Sequence, residues 1–119
     1  MEHIQVEELM HVNIEVSNLE RALAFYARLG LDELPRAGAP VRAGAWFRLP
    51  DGKELHLSVG TPQPENRSHF AVRVADLEVA RRILHDAGAR IETERELPGV
   101  ARFFARDPDG NRIEFLQRL

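Results

Sequence analysis

Three histidines and one glutamate occupy equivalent places in two copies of one pattern. The spacing is direct: 69 − 11 = 58 for His11 and His69, and 114 − 56 = 58 for His56 and Glu114. At that offset, with no gap, HVNIEVSNLERA pairs with HFAVRVADLEVA and LPDGKELHL with DPDGNRIEF. Twelve positions are identical between 11–59 and 69–117, several times what composition alone would give. Singly, each of the four residues would be an ordinary strand side chain. Jointly, a duplication sets equivalent residues about a pseudo-two-fold axis, and four potential ligands can then converge on one point. Neutral imidazole and carboxylate suit a divalent ion such as zinc, nickel, cobalt, manganese or iron(II). Such an ion keeps positions open for two neighbouring substrate oxygens and stabilises a developing oxyanion. Glu114, if it can leave the ion, is the first candidate for general base, and His56 is its rival.

The elements that must position these residues follow from periodicity. Residues 9–16 (LMHVNIEV) alternate and are rich in β-branched side chains, as a half-buried strand requires. Ser17 and Glu20 have the spacing of a capping box, with Ser17 as N-cap. Leu19, Ala22, Leu23, Tyr26 and Leu29 then keep a helical period that Gly30 ends. Extended segments are expected near 31–36, 42–49 and 53–59, with turns at Pro40 and at Pro50–Gly52. The second copy repeats the order: a strand over 68–74, a helix from Asp76 to about Ala87, and strands near 89–97, 100–106 and 111–117. Unit one therefore spans about 9–59, the proline-rich stretch 60–67 is a linker, and unit two spans about 68–119 of a single domain. Residues 1–8 read as a leader, with a short added strand as one option. The expected class is α+β: two βαβββ units related by pseudo-two-fold symmetry.

Alternation assigns faces. Val12, Ile14, Val16, Phe70, Val72 and Val74 face the helices, together with Leu55, Leu57, Val59, Ile113 and Phe115. The opposite face carries the four candidate ligands and also Asn13, Glu15, Ser58, Arg73 and Arg112, which are candidate substrate contacts. Trp46, Phe47, Phe103 and Phe104 are expected in the core or along the pocket wall. His3 and His85 are expected to be exposed, and Arg48 and Arg106 to tether loops at the two equivalent turns. Segment 36–44 is the one candidate flap.

Composition narrows the partners. A formal charge of −3 argues against nucleic acid or an anionic membrane surface, both of which need a basic face. Cysteine is absent, which excludes disulfides and thiolate metal sites. No apolar run approaches the roughly 20 residues of a membrane span. The acidic start MEHIQVEELM lacks the features of a signal peptide, so the expected location is the cytoplasm.

The two unit starts, HVNIEVSNLERALAFYARLGL and HFAVRVADLEVARRILHDAGA, and the ending DPDGNRIEFLQ resemble the vicinal oxygen chelate superfamily, also called the glyoxalase/bleomycin resistance protein/dioxygenase superfamily. The likeness runs from about residue 9 to 117. It implies paired βαβββ units curled into a half-barrel cup around one divalent metal, with ligands from the first and last strands of each unit: His11, His56, His69 and Glu114. Glyoxalase I-like members usually carry glutamate where this chain has His56. Extradiol dioxygenase-like members use two histidines and a glutamate, matching His11, His69 and Glu114 and leaving His56 as an acid–base group. Fosfomycin-resistance-like members use a similar set, but this chain lacks an obvious potassium-binding loop. The resemblance thus implies a metal-dependent lyase or isomerase, with an iron(II) dioxygenase as one alternative. Another alternative is a non-catalytic, bleomycin-resistance-like protein that binds a small molecule. It also implies a homodimer, either with each cup closed within one chain or with units exchanged so that His11 and His56 face the partner's second unit.

Overall fold

The computed structural model describes residues 2–36, 38, 42–63 and 65–119. Its elements run β1 (His11–Val16), α1 (Leu19–Tyr26), β2 (Asp32–Leu34), β3 (Gly44–Arg48), β4 (Glu54–Val59), β5 (His69–Arg73), α2 (Leu77–Asp86), β6 (Arg90–Glu92), β7 (Val100–Arg106) and β8 (Arg112–Arg118). They form two four-stranded sheets of the same order, β1-β4-β3-β2 and β5-β8-β7-β6. In each, the first strand runs parallel to the last and the other pairings are antiparallel. The register repeats as well, since His11 lies opposite Glu54 and His69 opposite Arg112, again 58 residues on. The two sheets do not close into one barrel within the chain.

The core is one apolar cluster drawing on both units. Val16, Leu55, Leu57, Phe25 and Phe47 come from the first, and Leu77, Leu84, Phe103, Ile113 and Phe115 from the second. Of the strand residues, Val16, Leu55, Leu57, Ile113 and Phe115 belong to the helix-facing sets fixed by alternation, and Phe47 and Phe103 join them in the core.

Four local expectations are corrected. The N-cap of α1 is Asn18, whose side chain accepts from the Arg21 N–H. Ser17 bonds instead to the Asp109 carboxylate in the turn before β8, through both its backbone N–H and its hydroxyl. A tertiary acceptor thus displaces the local cap, and Asn18 fills that role equally well. The strand expected over 31–36 ends at Leu34, because Pro35 has no N–H to give a ladder. The strand expected over 89–97 ends at Glu92, and residues 93–96 leave the sheet without regular structure. Residues 2–10 form no added strand. The expected turn at Pro40 and residues 37 and 39–41 of the candidate flap lie outside the described residues. The Asp76 N-cap of α2 is as expected, accepting from the N–H groups of Glu78 and Val79.

The junction between units is asymmetric. Tyr26 at the end of α1, 1% exposed, donates to the buried Asp107 carboxylate of unit two at 2.8 Å. Burial first, and Asp107 second, push the Tyr26 hydroxyl well above its ordinary pKa. The equivalent pair on the other side is Leu84 and Leu49, and these line an apolar cavity of about 350 Å³. Asn111 adds a second tie, its side-chain amide donating to the backbone carbonyl of Glu15 on β1 at 2.8 Å. No helix among the described residues is long and apolar enough to cross a membrane.

Candidate metal centre

The four candidate ligands form two pairs, one in each unit. In unit one the imidazole of His11 stacks on that of His56 at 4.1 Å, and His56 stacks on Trp46 at 4.4 Å. Register explains the sandwich, because Trp46 on β3 lies directly opposite His56 on β4. His56 is 9% exposed, and its Nε2 lies 2.8 Å from Glu54 Oε1. A proton on Nε2 is what the Glu54 carboxylate can accept, which puts the ring's lone pair on Nδ1. His11, in contrast, is exposed at the start of the free-edged β1.

In unit two, His69 Nε2 is 3.1 Å from Glu114 Oε1, bringing imidazole and carboxylate together across the parallel β5–β8 pair. The second carboxylate oxygen accepts from Arg102 Nη1 at 3.3 Å. His69 Nδ1 faces the backbone carbonyl of Arg67 at 3.0 Å, which as an acceptor places the proton on Nδ1 and leaves the Nε2 lone pair on the side of Glu114. A separation of 3.1 Å is also the edge spanned by two adjacent ligands each about 2.1 Å from one ion. The His69–Glu114 pair therefore fits a divalent metal in both chemistry and spacing.

Phe104 forms the floor beside this pair. Its ring meets His69 edge-on at 5.1 Å and carries the guanidinium groups of Arg112 at 3.7 Å and Arg102 at 5.3 Å. Phe104 and Trp46 are equivalent under the 58-residue shift, so each unit backs its last-strand ligand position with an aromatic ring.

Among the described residues no three His, Asp or Glu side chains of one chain gather closely enough to hold an ion. His11 and His69 do line one cavity of about 340 Å³, floored by Leu29, Leu31, Leu55 and Val72, but His56 and Glu114 do not share it.

The candidate substrate contacts divide by their commitments. Asn13 accepts from the Ser58 hydroxyl at 2.8 Å, and Glu15 pairs with Arg42 at 3.0 Å. Arg73 is exposed on β5. Arg112 is buried, and its donors go to Glu92 at 3.2 Å and Glu94 at 2.7 Å. Burial alone would raise the Glu92 carboxyl, but hydrogen bonds from Arg106 and Arg112 outweigh it and hold the pKa below the ordinary value. Arg106 also donates to the carbonyls of Asn66 and Gly110, tethering loops as expected. Sequence reasoning missed Arg102. Alternation puts Glu54 on the strand face of His56 two residues away, and the structure gives it a role there as the partner of His56 Nε2.

The family model described as the Glyoxalase/Bleomycin resistance protein/Dioxygenase superfamily matches residues 8–115. Among solved structures, a glyoxalase family protein from Bacillus anthracis shares 29% identity over 99% of this chain and 100% of its own, with a TM-score of 0.82. A glyoxalase/dioxygenase from Nostoc punctiforme superposes with a TM-score of 0.80 at 20% identity, covering 100% of this chain and 99% of its own. The fosfomycin resistance protein FosX of Listeria monocytogenes does so at 0.79 and 17% identity, covering 97% and 96%; at these last two identities the likeness is one of fold. A comparison with curated proteins finds no match.

Proposed function

Because the chain belongs to the glyoxalase/bleomycin resistance protein/dioxygenase superfamily, we propose that it is a divalent-metal-dependent enzyme for a small substrate with two neighbouring oxygens, of lyase or isomerase type. The observation that carries this reading is the His69–Glu114 pair at 3.1 Å. The third ligand is His11, and the site is completed by a second copy of the chain with units exchanged. Two observations support this assembly. The ligands of one chain do not gather among its described residues. The polar faces of β1 and β5 are also open, with His11, Asn13, His69 and Arg73 all exposed.

When bound, the ion supplies Lewis acidity toward a chelated substrate and a developing oxyanion. His69, its Nδ1 tied to the Arg67 carbonyl, presents Nε2 in a fixed direction. Glu114 offers Oε1 while Arg102 retains Oε2. His56 is the acid–base group rather than a fourth ligand: Glu54 holds its Nε2, and its ring lies flat between His11 and Trp46. A proton moving onto Nδ1 would then be stabilised by the Glu54 carboxylate.

Cobalt(II) titration of stripped protein tests the metal reading directly. Uptake should reach about one equivalent per chain, weakened at least tenfold in His11→Ala, His69→Ala and Glu114→Gln. Uptake below about a tenth of an equivalent by the native protein overturns the proposal.

A further inference from the structure

Among the described residues, the one acidic partner of Arg102 is Glu114, the acid assigned to the metal. Its guanidinium has five N–H donors. Among the described residues one reaches Glu114 Oε2 at 3.3 Å, long for a charge-assisted bond, and one reaches the Arg95 carbonyl at 3.0 Å. Its Nε is buried with no acceptor, in a side chain only 14% exposed. The neighbouring arginines differ. Arg112 is held by Glu92 and Glu94, and Arg106 by Glu92 and two backbone carbonyls. Those two fasten strands; Arg102 keeps donors in hand beside Glu114.

We infer that Arg102 reads an anionic group on the substrate, selecting ligands that carry a phosphonate, phosphate or carboxylate beside the two chelating oxygens. This rests on the metal reading above. With a divalent ion, the Glu114 carboxylate, the Arg102 guanidinium and neutral imidazoles, the site holds two net positive charges in a partly buried setting. A neutral chelating ligand leaves both uncompensated, which is costly away from water. A ligand with its own anionic group compensates them and gives the under-used donors acceptors. Phe104 beneath the guanidinium, at 5.3 Å, limits the directions in which it can point.

Two probes with the same chelating head isolate the effect: acetohydroxamate, and phosphonoacetohydroxamate, which adds a phosphonate. Each is titrated into cobalt-loaded protein and followed by calorimetry and cobalt absorption. The native protein should favour the phosphonate probe by about tenfold or more, since one charge-assisted contact amounts to that much. Arg102→Met should bring the ratio of the two constants close to one, and Arg102→Lys should restore part of it. Using a ratio cancels any general effect of a variant on folding or metal affinity. Equal affinity for both probes in the native protein overturns the inference, as does a preference that survives Arg102→Met. Cobalt uptake with no preference refutes this inference alone, whereas failure to take up cobalt refutes the metal reading and this one with it.

Discussion

Tyr26→Phe removes one oxygen from the junction between the two units, and its cost can be worked from the contacts. The lost bond, 2.8 Å long, joins a buried hydroxyl to a buried carboxylate. A hydrogen bond to a charged group contributes about 1.5–3 kcal/mol. Asp107 keeps three other donors, the N–H groups of Asp109 and Asn111 and the Asn111 side-chain amide, each at 2.9 Å. The carboxylate is therefore not orphaned, and the low end applies, about 1.5 kcal/mol. A chain of 119 residues unfolds with an entropy of about 0.25 kcal/mol/K, so the melting temperature should fall by about 6 °C. Phenylalanine fills the same space, which excludes a cavity contribution. Scanning calorimetry at neutral pH is the assay, with the Tyr26→Phe/Asp107→Asn double variant as control; its loss should fall short of the sum of the single losses. A Tyr26→Phe shift under about 2 °C would show that this bond contributes little to holding the units together.

Tyr26 is the chain's one tyrosine, so alkaline titration reads it without interference. Its folded pKa is raised above the unfolded value, chiefly by burial. The stability this gives is present below about pH 10 and lost as pH rises beyond it, so phenolate absorbance should appear together with unfolding. A separate non-cooperative titration near the ordinary value, with circular dichroism unchanged, would contradict the burial. Gly44→Ala should destabilise by about 1–3 kcal/mol in urea, because the new Cβ meets backbone at 2.1 Å; a neutral result would mean that β3 and β4 can separate locally at no cost. Arg112→Met should cost about 1 kcal/mol by removing the bonds of a buried arginine to Glu92 and to the exposed Glu94, and Arg112→Lys should recover only part; equal stability of all three proteins would make the cluster ornamental.

The sequence showed most clearly what the duplication repeats. The order of elements along the chain, the helix positions and the face carrying His11, His56, His69 and Glu114 follow from periodicity and the 58-residue shift; the structure has that element order and repeats one strand register in both units. What the copies do not share was harder to see. Arg102 corresponds to Gly44, and the Tyr26–Asp107 pair to Leu84 and Leu49, so self-comparison could flag neither. The Ser17 cap was misread because its competitor, Asp109, lies 92 residues away. Convergence of the four ligands was beyond the pattern for a physical reason. Equivalence states that residues occupy like positions in two units, whereas distance depends on how those units pack, within a chain or between chains.

Complementation between two inactivated chains is the most direct check on the shared centre. His11→Ala removes a ligand from unit one, and Glu114→Gln removes one from unit two. Each variant alone should bind little cobalt. After unfolding and refolding as an equal mixture, half of the dimers contain one chain of each kind, and each such dimer rebuilds one intact site from two. Cobalt uptake should then recover to about a quarter of an equivalent per chain. Uptake that stays at the level of the separate variants, in mixtures shown by mass spectrometry to contain mixed dimers, would contradict a site built from His11 of one chain with His69 and Glu114 of another.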